Sequence, residues 1–417
     1  MARLNIAAAI FAIAAWVLAP LGAAQSCVAA NARFEAKMGS GYKVSAIATG
    51  ITGARHIVVD KAGNLLVATS GGAVRRLVLK DNGDTVCVVS SAAISGAQGS
   101  TNHGIDVSAD GKTLFTSNLA SVTAFPYDDQ AGTVGTGKVI ISGMSNTGTH
   151  PTRAILVSKS SPDTILVARG SNNNIDTTTL QVSTGRSIIR AFSISKTTQT
   201  PADFSSGGET LGWGLRNIVG MGEDPVFGGV WSVENSLDNM KVGGKDVHND
   251  NPAEKLNYHG ILKDTANKYK GANYGYPSCF PIWDTALGTV GNLIKPDSVP
   301  DATDCDKRQK GRLHFHAHTA PLDIKFNANA THAYVAFHGS WNRNPSDGYR
   351  VMRVDFKDGE PVASITSKTA QIPVMENQDA TRCSNSCFRP VGLAFDAKGR
   401  LFVSSDTTGE IFVIYGA

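Results

Sequence analysis

Short apolar runs recur along the chain, and tight polar turns join them in pairs. The first such unit reads HIVVDKAGNLLVATSGGAVRRLVL, from His56 to Leu79. It returns as GIDVSADGKTLFTSN with SVTAFPYD (Gly104 to Asp128), and as RAILVSKSSPDTILVARGS with SIIRAFSI (Arg153 to Ile194). A fourth copy occupies Leu211 to Met240, a fifth Leu322 to Phe356 and a sixth Val391 to Tyr415. Their turns centre near Ala62, Asp110, Pro162, Pro225, Asn329 and Lys398. Each unit reads as strand, turn, strand, turn, strand. Helical periodicity is scarce. One unit cannot bury its own apolar faces, so the copies must pack on one another, and radial packing leaves few exposed edges. The pattern predicts an all-β chain folded as a six-bladed β-propeller, with a six-hairpin sandwich as the alternative.

The fourth unit concentrates polar groups. Runs at Ile218–Met221 and Val230–Val233 flank the turn signal EDPVFGG. Arg216 and Asn217 precede the first run, and Glu234 to Asp238 follow the second. In an antiparallel pair these places share one end. A guanidinium, an amide and a carboxylate-bearing loop would meet there, a set suited to an anionic ligand with a hard cation. The plainer alternative is a capped strand pair with solvated ends. Between the fourth and fifth units, Lys241 to Arg312 is polar and rich in Gly, Asn, Asp and Pro. Its aromatics and two cysteines predict an ordered lid or rim.

Composition narrows the setting. The 417 residues carry a formal net charge of +4 and 43 glycines. That balance suggests neither nucleic acid nor a membrane surface as partner, and the glycines fit many tight turns. Met1 to about Ala24 has a basic start, an apolar stretch and small residues before a cleavage point, the pattern of a secretory signal peptide. The remainder, 25–417, is then one propeller domain, secreted and extracellular. Six cysteines, Cys27, Cys87, Cys279, Cys305, Cys383 and Cys387, allow three disulfides. Proximity favours Cys279–Cys305 and Cys383–Cys387, leaving Cys27–Cys87. Asn329-Ala330-Thr331 is a glycosylation sequon, which fits a surface loop.

No GxGxxG, GxSxG or P-loop occurs, which counts against a Rossmann nucleotide site, a serine-hydrolase elbow and a nucleotide phosphate cradle. Histidine and arginine instead recur at strand ends: His103 opens the second unit, His150 precedes the third and His338 follows the middle strand of the fifth, while Arg55, Arg153, Arg216 and Arg389 fall just before first strands. First strands line the channel of a propeller, so these side chains would converge on one axial mouth as a basic funnel for a polyanion. His314, His316 and His318 alternate in HFHAH. On one strand face they would resemble a metal site; the alternative is a solvated strand.

Taken together, GLRNIVGMGEDPVFGGVWSVENSLDN, HNDNPAEKLN, NYGYP, AFHGSWNR and FRPVGLAFDAKGRLFVSSDTTGEI resemble the soluble quinoprotein sugar dehydrogenases. Within that group the chain is most similar to the sorbosone-dehydrogenase-like proteins and the fungal pyrroloquinoline-quinone-dependent pyranose dehydrogenases. The resemblance runs from about Ala54 to the end. It implies a six-bladed propeller holding pyrroloquinoline quinone (PQQ) in its axial mouth, bridged by Ca2+. By position it implies His150 as general base and Arg216 and Asn217 as contacts to quinone and substrate. It implies the carbonyls of Ser236 and Leu237 as calcium ligands and Arg389 as a cofactor-carboxylate partner. Asn102, His103, Thr319, Trp341, Asn342 and Arg343 fall in cofactor-lining stretches. Two departures stand out: Cys387 occupies the place of a second arginine, and Asn342 or Arg343 that of an expected lysine. Arg55 is a candidate to compensate.

The implied function is oxidation of a pyranose or related aldose at C1, with PQQ and Ca2+ as cofactors. A small-molecule sugar is the substrate, and an external electron acceptor, a haem protein or a copper oxidase, is the partner. A calcium-dependent lactonase and a non-catalytic binding propeller are the alternatives. The chemistry suits the residues: three carboxylates on PQQ call for several arginines, calcium accepts main-chain oxygens, and a neutral histidine can take a hydroxyl proton.

Overall fold

A computed structural model describes residues 30–83, 85–145, 148–299, 304–383 and 386–417. The expected signal segment and Cys27 lie outside these residues. Six sheets are arranged as a six-bladed β-propeller. The innermost strands, in blade order, are Ala54–Val59, Ile105–Val107, Ile155–Val157, Ile218–Glu223, Pro321–Phe326 and Pro390–Phe395. Each contacts the innermost strand of the next blade, so the six close around an axis. The outer edge of the last blade is Lys43–Ala48, paired antiparallel with Glu410–Tyr415. The start of the propeller thereby completes its last blade and ties the two ends of the ring together.

Two sequence features shape the ring. Adjacent inner strands approach too closely for side chains at some positions. A Cβ at Gly220 would lie 2.4 Å from Asp323 Cα, and one at Gly392 would lie 2.7 Å from the Arg55 carbonyl oxygen. Part of the glycine content is therefore spent on blade contact as well as on turns. The inner strands of blades I, IV, V and VI also break register at matching places, between Ala54 and Ile57, Ile218 and Gly220, Pro321 and Asp323, and Pro390 and Leu393. Such bulges re-aim the side chains they contain. Here they gather Val219, Leu322 and Val391 into a buried apolar collar on the axis.

Between blades the core is aromatic and aliphatic. Trp231 is fully buried and meets Phe326 and Phe356 of the next blade at ring distances of 6.4 and 5.1 Å. Each blade holds a fourth strand beyond the three legible in the repeats, such as Val86–Ala93 in the first. The stretch 241–312 is more structured than its composition suggests. It supplies the third strand of blade IV, Glu254–Ile261, and an edge strand of blade III, Ala272–Asn273. Its lid part is tied by the Cys279–Cys305 disulfide, and Cys383–Cys387 forms a second. Cys87 is disulfide-bonded, and its expected partner Cys27 lies outside the described residues. Replacing Cys279 and Cys305 together by serine should cost about 3 kcal/mol, the entropy of opening a loop of this length. Denaturant midpoints of the two proteins would measure it, and an unchanged midpoint would contradict it.

Candidate functional site

At one end of the axis lies a cavity of about 870 Å³. Its wall is built from strand entries and strand ends of all six blades, the places where polar residues recur in the sequence. Ile218 pairs with Glu234, so Arg216 and Asn217 stand beside Asn235 to Asp238 as the pattern of the fourth unit requires. Of the residues singled out above, Arg55, Asn102, His150, Arg216, Asn217, Ser236, Trp341, Asn342 and Arg389 line this cavity.

His150 enters from the loop before blade III and is 9% exposed. Its Nδ1 lies 2.9 Å from the Ser171 carbonyl oxygen and 3.0 Å from Ser171 Oγ. A carbonyl only accepts, so Nδ1 carries the proton and Nε2 keeps its lone pair. Burial, helped by the Arg216 charge, brings the pKa down to about 4. The ring is therefore neutral over the whole neutral range. Gly170 makes this wall compact: a Cβ there would meet Asn217 Oδ1 at 2.8 Å and His150 Cβ at 3.1 Å.

Arg216 is gripped on several sides. Its Nε donates to the Asn174 carbonyl at 3.1 Å, and its Nη2 to Asn174 Oδ1 and Asp238 Oδ2, both at 2.9 Å. Asp238 also accepts from Asn342 Nδ2 at 2.8 Å. His318 is drawn into the same group. Burial works against its charge, but Asp238 and Glu254 outweigh it and raise its pKa. Glu254 is almost fully buried on the wall; burial pushes it up to about 7 although the Ser236 N–H donates to it at 2.6 Å. Under this layer Glu234 accepts from the Arg216 N–H at 2.8 Å and from Asn257 and Lys255 at 2.8 Å.

On the far wall Arg389 donates to the carbonyls of His338 and Gly339 at 3.0 and 2.7 Å and lies over the Tyr349 ring. Asp406 joins Arg55 at 2.7 Å to His338 at 2.9 Å. The charge of these partners outweighs burial and holds the Asp406 carboxyl far below the usual carboxylate range.

Four expected site residues lie off the cavity wall. His103 is fully buried beneath Arg55. Thr319 is buried, and its hydroxyl donates to the His316 carbonyl at 2.8 Å. Arg343 ties the Trp341 loop to the 241–312 stretch through the Asn249 carbonyl and Asp250. The Leu237 side chain packs with Met240, Tyr276 and Phe280. Arg153 does not join the funnel either. It is fully buried and props the loop of His150 by donating to the His150 and Met144 carbonyls.

The HFHAH run does not put three imidazoles on one face. Its strand ends at Phe315. His314 is buried toward the Ile365 carbonyl, His316 sits between Asp250 and Asp347, and only His318 reaches the cavity. Among the described residues no group of three His, Cys, Asp or Glu is placed to hold a metal. Sequence reasoning missed Asp406, Glu254 and Asn174. Asp406 follows the middle strand of the sixth unit as His338 follows that of the fifth, which is a usable signal. Glu254 and Asn174 lie in inserted stretches without a pattern to mark them.

Several cavity atoms have no hydrogen-bond partner among the described residues: Oδ1 of Asn102, Asn217 and Asn342, and Oγ of Ser236. Unpaired amide oxygens call for a ligand with hydroxyl or N–H donors, and the arginines on the same wall for one that also carries anionic groups. The wall carries three arginines and three acids, Asp238, Glu254 and Asp406, rather than the purely basic funnel expected. Fold and cavity together define the class: a six-bladed propeller with an axial, polar, histidine-bearing cavity.

The chain belongs to the family described as TrAA12-like, which matches residues 36–417. It is 46% identical over 389 residues to a pyrroloquinoline quinone-dependent sugar dehydrogenase of Hypocrea jecorina (strain QM6a), covering 90% of this chain and 88% of that protein. A calcium structure of the Trichoderma reesei family AA12 protein superposes with a TM-score of 0.89 at 42% identity, covering 94% of this chain and 100% of that one. The holo form of the PQQ domain of pyranose dehydrogenase from Coprinopsis cinerea gives 0.86 at 36%, covering 92% and 98%. The full-length Coprinopsis cinerea pyranose dehydrogenase is 38% identical over 92% of this chain, which spans only 55% of that longer protein.

Proposed function

We infer that this chain is a PQQ-dependent sugar dehydrogenase that oxidises a pyranose or related aldose at C1. The observation that carries the reading is a neutral His150, its Nε2 lone pair free, on the same wall as Arg216 and the unpaired amide of Asn217. The names of its relatives support the cofactor and the substrate class.

PQQ fits the arginines present: Arg55 and Arg389 would hold its carboxylates. The unpaired amide oxygens of Asn102, Asn217 and Asn342 can only accept, so they suit the pyrrole N–H of the cofactor and the hydroxyls of a bound sugar. Bound PQQ, polarised by a cation, supplies the hydride acceptor. Ca2+ would take oxygen ligands, and the main-chain oxygens of Ser236 and Leu237 would hold it, with the Glu254 carboxylate on the same wall. His150 Nε2 takes the proton of the C1 hydroxyl, leaving its electron pair to form the carbonyl as hydride departs from C1. Arg216, held by Asp238 and Asn174, orients the sugar oxygens. An external acceptor, a haem protein or a copper oxidase, completes the cycle. A secreted enzyme, as the leader sequence suggests, would meet its sugar outside the cell.

The test is direct. Apoprotein mixed with Ca2+ and PQQ should show quinone reduction in the absorption spectrum when an aldose is added. Lactone hydrolysis without quinone would instead make it a hydrolase, and no response to either would leave a binding propeller. Chelation should weaken PQQ binding, and Ser236→Ala, which keeps the main-chain oxygen, should remain as sensitive to chelator as the parent. Leu237→Ala is a poorer probe, since truncating a buried leucine costs about 2–5 kcal/mol. Full PQQ affinity in excess chelator would remove the calcium bridge.

A further inference from the structure

Arg55 is held from below by a column of side chains on the propeller axis. His103 lies directly beneath it, fully buried. Its Nε2 is 2.9 Å from the Val219 carbonyl oxygen, so Nε2 carries the proton and, in a neutral ring, Nδ1 is an acceptor. Burial, reinforced by the charge of Arg55, holds its pKa well below the usual histidine range. Nδ1 accepts from Arg55 Nε at 3.3 Å, and Arg55 Nη1 is 2.7 Å from Asp406 Oδ2. Nε and Nη1 are thus committed. Nη2 has no partner among the described residues, and the guanidinium borders the cavity.

Behind His103 stands a rigid backing. His56 stacks on it at a centroid distance of 5.5 Å and an interplanar angle of 4°. His56 Nε2 lies 3.1 Å from Asp323 Oδ2, and Lys325 Nζ lies 2.6 Å from Asp323 Oδ1. His56 borders a second cavity, of about 590 Å³, at the opposite end of the axis. The stacked pair and the apolar collar together separate the two spaces. The column does not relay protons, because the only N–H of His103 is spent on a carbonyl.

We propose that His103 is a positioning residue for Arg55: a neutral imidazole in one tautomer that fixes the guanidinium so that its Nη2 edge is presented to a carboxylate of the bound cofactor. His56 and Asp323 fix His103 in turn. The proposal rests on the PQQ reading. A guanidinium already held in place loses little rotamer freedom when a ligand arrives, worth roughly 2–10-fold in affinity for one side chain.

The test is a double-mutant cycle on PQQ binding to the calcium-loaded full chain, measured by fluorescence titration. His103→Phe keeps the stack on His56 and removes the acceptor. It should weaken PQQ binding by roughly 2–10-fold, and His103→Gln, which returns an acceptor, should restore most of the loss. In an Arg55→Ala background the same His103→Phe change should weaken binding no further. An equal loss in both backgrounds, or no loss in the parent, overturns the proposal. His56→Phe, one step further down, should give a smaller loss that also vanishes without Arg55, and it decides the matter if His103→Phe does not fold. If the parent protein binds no PQQ, the cofactor reading falls. Melting temperatures of the apoprotein cycle then decide the contact: non-additive shifts for His103 and Arg55 support it, and additive shifts overturn it.

Discussion

Replacing His150 by alanine should lower turnover by about 10²–10⁴-fold, the usual contribution of a positioned base. PQQ affinity should change far less, because the arginines proposed to hold its carboxylates, Arg55 and Arg389, lie on other blades. The geometry sets a second, sharper expectation. A base works only when unprotonated, and burial with the Arg216 charge brings the His150 pKa down to about 4. In the parent enzyme kcat/KM should therefore stay level from neutral pH down to about 5 and fall roughly tenfold per unit below about 4. An ordinary histidine would lose rate near pH 6.5. Parallel alanine variants at His103, His316 and His318 provide the comparison. If the His150 variant reduces quinone at the parent rate while another of these loses turnover with PQQ still bound, His150 is not the base.

Replacing Glu234 by alanine should destabilise the protein by about 3–5 kcal/mol, because it strands a buried cation. The Lys255 ammonium lies 2.8 Å from Glu234, and both side chains are essentially inaccessible to water. The remaining Lys255 contact, to the Tyr274 carbonyl at 3.0 Å, leaves its charge uncompensated. The loss should reach the site as well, since Glu234 accepts the Arg216 N–H and so sets where Arg216 begins. A useful contrast is the exposed pair Lys270–Glu209, at 44% and 61% side-chain exposure. Breaking it should cost less than about 1 kcal/mol. Chemical unfolding midpoints for both variants settle the matter, and equal losses at the two positions would contradict the argument.

The sequence by itself determined the repeat and the end of the repeat where chemistry gathers. Alternation of apolar and polar residues and the Asp-x-x-Gly type of turn are local, so six copies of one unit could be counted along the chain. The same locality placed Arg216 and Asn217 next to Glu234–Asp238, since an antiparallel hairpin leaves no other choice. It also marked His150 and Arg389 as strand-entry residues on the axial side. The family resemblance added the chemistry to be expected there.

What only the tertiary structure decided is which of those strand-entry residues face the cavity and which lie one layer below. Arg55 and His103 occupy equivalent places in their repeats, yet one borders the cavity and the other supports it from beneath. The difference arises from the bulge between Ala54 and Ile57 and from the neighbouring blades, which no single repeat encodes. Arg153 is buried because its guanidinium turns inward to the His150 and Met144 carbonyls, while HFHAH loses its common face because its strand ends after Phe315. Glu254 and Asn174 reach the cavity from inserted stretches whose local sequence carries no period. Distances between blades are set by packing around the axis, and side chains far apart in the chain acquire their partners, charge states and accessible edges only when that ring closes.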